Sequence, residues 1–194
     1  MPTATPWKQR YWIFDLDGTL TLPQHDFSAF RDAHELPHDR PILEAIHALP
    51  AQQATFILRA LQDWEWSLAD QATPQPHAAE LLSALQQRNC SMAILTRNRK
   101  PIALRTLATI GLQHFFSSEL VLGRDEATPK PSPAGVQHLL TYWGAQPEQA
   151  LLVGDYIFDM QAGHAASVTT VFFNTSGKSN PWADHTIKTL ASLM

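Results

Sequence analysis

Short apolar runs that stop abruptly at a polar residue, separated by stretches of helical periodicity, leave this chain few folds to adopt. Tyr11-Trp12-Ile13-Phe14 is aromatic and β-branched, and it ends at Asp15-Leu16-Asp17-Gly18. Ser91 to Leu95 ends at Thr96, Leu120 to Leu122 at Gly123, Leu151 to Val153 at Gly154-Asp155, and Val168 to Phe173 at Asn174. Such runs read as buried strands entering turns. Between the later ones lie helical patterns. Ala78 to Arg88 carries Leu81, Leu82 and Leu85 on one face, and Pro101 to Ile110 carries Ile102, Leu104, Leu107 and Ile110, with Gly111 placed to end the helix. Ser132 reads as an N-cap with Pro133 at the first helical position, and Ile157 to Ala165 forms a further short helix. Strands alternating with helices of this length predict βαβ units with right-handed crossovers, hence a doubly wound parallel α/β core.

One stretch breaks the alternation. From Leu20 to Thr73 the spacing is helical only, with Ile42, Ile46 and Leu49, then Ile57, Leu61, Trp64 and Leu68, punctuated by Pro41, Pro50 and Pro74. A helical insertion after the first strand would sit over the carboxyl ends of the strands, where open α/β sheets bind ligands. The expected division is a core of residues 1-20 and 74-194 with a helical cap of residues 21-73.

Composition narrows the function classes. A chain of 194 residues with net charge −4 and scattered Lys and Arg lacks the basic stripe a duplex nucleic-acid binder needs, while a small anionic ligand requires only a few local cations. The single cysteine, Cys90, allows no intrachain disulfide and no thiolate cluster, so it reads as a buried thiol in a reducing compartment. Met1 to Trp7 is polar and contains proline, unlike a secretory signal, and no apolar run approaches membrane-spanning length. The expectation is a cytoplasmic protein, monomeric or a small homo-oligomer, without a membrane or nucleic-acid partner.

In a parallel sheet all carboxyl ends lie on one side, so Asp15, Thr96 and Asp155 are delivered to one edge, with Lys130 in a loop on that side. Phosphoryl transfer uses such a set. Phosphate monoesters hydrolyse so slowly that catalysts supply up to ~10²¹-fold acceleration. An aspartate nucleophile, Asp15, divides the task into two displacements through an acyl phosphate. A carboxylate approaching a phosphate dianion is repelled, and Mg²⁺, which prefers oxygen ligands, suits the space between them. Lys130 would offset further charge, Thr96 would donate to a phosphoryl oxygen, and backbone N–H groups at Asp17-Gly18 and Arg97-Asn98 would complete the cradle. Asp17, two residues past the nucleophile, is placed to protonate the leaving group and then deprotonate water.

These segments together resemble the haloacid dehalogenase superfamily. Asp15-Leu16-Asp17-Gly18-Thr19-Leu20 looks like its first motif, Thr96 at a strand end its second, Lys130-Pro131-Ser132-Pro133 its third, and Gly154-Asp155-Tyr156-Ile157-Phe158-Asp159 its fourth. The small helical insertion is similar to the cap of the phosphoglycolate phosphatase-like branch. By that resemblance the protein is a Mg²⁺-dependent phosphatase of a small phosphorylated metabolite, phosphoglycolate being the leading candidate. Mg²⁺ would be held by the Asp15 side chain, the Asp17 backbone carbonyl and Asp155, with Asp159 supporting the site. A phosphomutase would share the nucleophile, and a non-catalytic phosphometabolite-binding protein would share the fold. A dehalogenase needs neither an acid at Asp17 nor a metal.

Alone, Thr96 or Lys130 would mark only a strand end or a loop; the four motifs in order carry the reading. Arg97 stands where many relatives place Asn or Gly, and Tyr156 where Ser or Thr is common. Arg97, next to Thr96, is expected to meet an anionic or polar part of the substrate, with Asn98 and Lys130 nearby, and Arg124 to lie on the surface. Trp64 and Trp66 read as cap core. His34 and His38 are kept off a shared helix face by Pro37, and His25 reads as surface loop.

Overall fold

The computed structural model describes residues 7–24 and 26–194. The expectations for the segment before Trp7 and for His25 lie outside the described residues.

Residues 12 to 14 are fully buried because their strand has apolar partners on both faces. Trp12 and Phe14 point into one cluster and Ile13 into another. The two-residue period of a strand repeats this division in its neighbours: Met92 and Ile94 against Ala93 and Leu95, Leu151 and Val153 against Ala150 and Leu152. Six strands form one sheet: β1 (Tyr11–Phe14), β2 (Ser91–Leu95), β3 (Val121–Leu122), β4 (Ala150–Gly154), β5 (Thr169–Phe173) and β6 (His185–Ile187). All pairings are parallel and the order is β3-β2-β1-β4-β5-β6. On the first face lie α4 (Ala78–Gln87), α5 (Lys100–Thr109) and the C-terminal turn with Leu190 and Leu193; on the second lie α6 (Ala134–Trp143) and α7 (Ile157–Ala165). This is the doubly wound α/β architecture expected from the alternation.

Local chemistry sets the boundaries. Helix α5 ends before Gly111, whose φ of +74° closes the turn, with Leu112 N–H donating to Leu107 O at 2.9 Å. Helix α6 starts one residue later than the Ser132 cap implies: Pro133 is the cap residue, and Ser132 Oγ accepts from Ala134 N–H at 3.3 Å. The edge strand β6 escapes the sequence pattern because it is short and buries only Ile187.

Between β1 and α4 come three helices, α1 (Phe27–Ala33), α2 (Ile42–His47) and α3 (Ala51–Asp70). They share an apolar cluster of their own, including Phe30, Leu36, Ile42, Ile46, Ile57 and Leu61, with Trp64 stacked on Phe30 at 5.2 Å. The chain leaves and re-enters the core as a hydrogen-bonded pair of segments: Leu22 N–H donates to Thr73 O at 2.9 Å, and Gln75 N–H to Leu20 O at 2.8 Å. Among the described residues no helix is long and apolar enough to cross a membrane.

Candidate active site

Asp15 is the first residue past β1 and Asp155 the first past β4. These strands are neighbours, and the connections run outward from them in opposite directions. That makes their junction the switch point of the sheet, where the crevice outside the strand ends opens for ligands. Asp15 N–H donates to Val153 O at 2.9 Å, which ties the two strand ends together.

Two glycines let the carboxylates crowd there. Gly18 has φ of +88°, and a Cβ on it would lie 2.4 Å from Asp155 Oδ2. A Cβ on Gly154 would lie 2.3 Å from Asp159 Cγ. Asp159 occupies the first turn of α7, where its Oδ2 accepts from Tyr156 N–H at 3.0 Å and the helix dipole favours an anion. Thr19 Oγ1 donates to Asp155 Oδ1 at 3.2 Å. Lys130, only 3% exposed, donates from Nζ to Asp15 Oδ1 at 2.6 Å and to Asp159 Oδ1.

One ammonium therefore faces three carboxylates, those of Asp15, Asp155 and Asp159, which can offer oxygens all within 4.8 Å of one another. Burial pushes the Asp15 carboxyl up, against the pull of Lys130 and with help from Asp17. Burial also pushes Asp155 up to about 8, reinforced by Asp15 and Asp159. Asp159 rises to about 6 for the same first reason, with Lys130 opposing and Asp15 adding. Burial would lower Lys130, but Asp15 and Asp159 outweigh it and hold the ammonium above its ordinary value. The cluster is short of positive charge, and its donors are all hard oxygens. Both features fit Mg²⁺.

The other expected residues line the same cavity, of about 360 Å³: Asp17, Thr96, Arg97 and Asn98 all reach it. Thr96 is buried, and its Oγ1 accepts from Asn98 N–H at 3.0 Å, shaping the turn after β2. Asp17 stands outside the three-carboxylate cluster; its expected metal contact was a backbone carbonyl. Arg97 reaches the helical insertion: its Nη2 donates to both carboxylate oxygens of Glu44 in α2, at 3.0 and 2.8 Å, and its Nη1 to the Lys130 carbonyl. Its charge is thus already partnered.

Arg124 is not the surface residue expected. Its side chain is 10% exposed and forms a two-point ion pair with Glu65 of α3, at 2.8 and 3.0 Å. Sequence reasoning missed Glu44, Glu65 and Arg31, which also lines the cavity. Glu65 carried a signal. The buried stripe of α3 is Ala54, Ile57, Leu61, Glu65 and Ala69, so an acid stands where helical spacing calls for an apolar residue. Trp64 and Leu68, taken for that stripe, lie beside it, half-buried.

Comparison with known proteins agrees with this architecture. The family model for haloacid dehalogenase-like hydrolases matches residues 28–173. A phosphoglycolate phosphatase of Salmonella typhimurium is 32% identical over 159 residues, covering 80% of this chain and 60% of the relative. A pyrophosphatase of Oceanobacillus iheyensis is 28% identical over 173 residues, covering 81% of this chain and 80% of the relative. The crystal structure of a hydrolase from Pseudomonas syringae matches the fold with a TM-score of 0.77 at 24% identity, covering 95% of this chain and 96% of that one. The chain belongs to the haloacid dehalogenase-like hydrolases.

Proposed function

We propose that the protein hydrolyses a small phosphate monoester in two displacements, with Asp15 as nucleophile. The observation that carries this reading is the meeting of Asp15, Asp155 and Asp159 around Lys130 at the switch point of the sheet. In the first step a carboxylate oxygen of Asp15 bonds to phosphorus as the ester oxygen departs, and Asp17 gives that oxygen its proton. In the second, water attacks phosphorus, Asp17 takes the water's proton, and the Asp15–phosphorus linkage breaks to release phosphate. Lys130 holds Asp15 in place through its 2.6 Å hydrogen bond and keeps a positive charge beside the transferring group. Thr96 uses its hydroxyl oxygen to accept from Asn98, which leaves its hydrogen for a phosphoryl oxygen.

Asp15, Asp155, Asp159 and the Asp17 carbonyl would hold Mg²⁺, which when bound screens the nucleophile from the phosphate dianion and polarises the phosphoryl group. Residues 21–73 act as the cap, with the paired segments at Leu22–Thr73 and Leu20–Gln75 as its base; it excludes water from the cavity during the first step. The cavity accommodates a substrate of few atoms, and phosphoglycolate is the leading candidate, being the substrate named for the Salmonella relative.

The test is phosphate release from a panel of phosphate monoesters with Mg²⁺ or a chelator, on the native chain and on Asp15→Asn. Hydrolysis that requires Mg²⁺ and disappears in Asp15→Asn is expected. Turnover persisting in Asp15→Asn would remove the nucleophile, and turnover persisting under chelation would remove the metal.

A further inference from the structure

The cations that line the cavity are unequal. Lys130 is matched by Asp15 and Asp159, Arg97 by Glu44, and Arg124 by Glu65. Arg31, in the last turn of α1, has no acidic partner among the described residues. Its Nη2 donates to the Arg40 carbonyl at 2.8 Å, which pins the guanidinium to the chain leading into α2. Its Nη1 is buried and has no hydrogen-bond partner. A cation in the last turn of a helix is favoured by the dipole, but the dipole does not satisfy that N–H group. Arg31 itself is only partly buried, but an unfilled buried donor on a charged group is costly, and native structures retain few of them. Around it the cavity wall is apolar, built from Phe27, Pro41, Ile42 and Leu43. The arrangement is that of a receptor awaiting an acceptor: a fixed donor and a fixed positive charge beside an apolar wall.

We propose that Arg31 binds a carboxylate on the substrate, at the end remote from the phosphoryl group. This rests on, and narrows, the reading of Asp15 as phosphatase nucleophile: the preferred substrates are small phosphate monoesters that also carry a carboxylate. Charge decides for a carboxylate over a second phosphate. One guanidinium, with one nitrogen already committed to Arg40, balances a single negative charge. A dianion against this apolar wall would keep an uncompensated charge. Arg31 is thus a specificity residue, while the chemistry stays with Asp15, Asp17 and Lys130.

The experiment is calorimetric binding, in Mg²⁺ buffer, of two non-hydrolysable ligands of equal size, 3-phosphonopropanoate and its neutral amide. The readout is the affinity ratio of the acid to the amide on each protein, so a general loss of binding cancels. The native chain is expected to prefer the acid by about 10- to 100-fold, the range of a charge-assisted hydrogen bond. In Arg31→Gln the ratio is expected to fall close to one, and Arg31→Lys to retain part of it. A native ratio near one, or a ratio preserved in Arg31→Gln, would overturn the assignment while leaving the phosphatase reading intact. Failure of both ligands to bind the native chain would overturn the phosphate site itself, and this assignment with it.

Discussion

Lys130 and Gly154 are single residues on which the whole carboxylate cluster depends. Lys130 is buried and its ammonium touches two of the three acids. Replacing it with Met keeps the volume of the stem but strands those carboxylates without a counter-charge. Removing one partner of a buried ion pair costs about 3–5 kcal/mol, so Lys130→Met is expected to unfold at markedly lower urea. It should also lose about 10²- to 10³-fold in kcat, the effect of deleting one preorganised charge-stabilising group. A Lys130→Met protein with native turnover would end the role given to the ammonium. Gly154 acts through space instead of charge. A methyl there would sit 2.3 Å from Asp159 Cγ, and the side chain opposite is an anchored carboxylate, held by Tyr156 N–H and by Lys130. Gly154→Ala is expected to displace Asp159 and cost about 1–3 kcal/mol, the usual penalty of overpacking. The measurement is the shift of the urea midpoint at unchanged slope.

At the level of elements, the fold was legible where burial is continuous and the site where motifs are local. β1 and β2 lie where their apolar runs put them, because residues between the two helix layers are buried on both faces and the run ends where the sheet ends. β6 was not legible, since an edge strand with one buried side chain leaves almost no pattern. Asp15 and Asp155 could be placed at one edge because parallel strands share an end. That Asp159, Lys130 and Asp15 touch depends on a loop path that periodicity does not encode. The helical insertion was legible as helices but not as a surface. Arg31 and Glu65 line the cavity, and the acids Glu44 and Glu65 find their partners, Arg97 and Arg124, far away in sequence. Glu65 and Arg124 join α3 to the turn after β3, with side chains only 6% and 10% exposed. At that burial the pair resists breaking more than it adds stability. Arg124→Met alone is expected to cost about 3–5 kcal/mol, and adding Glu65→Leu to recover part of that loss, since a well-packed apolar pair can replace a buried ionic one. Urea melts of the two single variants and the double variant give the coupling. Strictly additive losses would mean that the ion pair does not act as a unit.

For the molecule as a whole, the proposed cation site would make folding and cation binding one equilibrium. Three carboxylates are drawn together where burial already disfavours their charge, and a single ammonium offsets them. The unfolded chain spreads those acids apart, so metal-free folding works against their repulsion, and a dication that binds only the assembled cluster should stabilise the native state. At a hundred times its dissociation constant such a ligand contributes about 2.7 kcal/mol. For a chain of this length that moves Tm by about 5–10 °C. Thermal melts in chelator and in a Mg²⁺ series are expected to separate by that amount, whether or not any substrate has been identified. Asp155→Asn gives the sharper comparison. It removes one of the repelling charges and one proposed ligand together, so it should melt higher than the native chain in chelator yet respond little to Mg²⁺. A merely structural loss would lower Tm in both conditions and leave the Mg²⁺ response in place. Crossing of the native and Asp155→Asn melting temperatures as Mg²⁺ is raised therefore reports the cation site without passing through catalysis. Parallel curves would exclude Asp155 from that site.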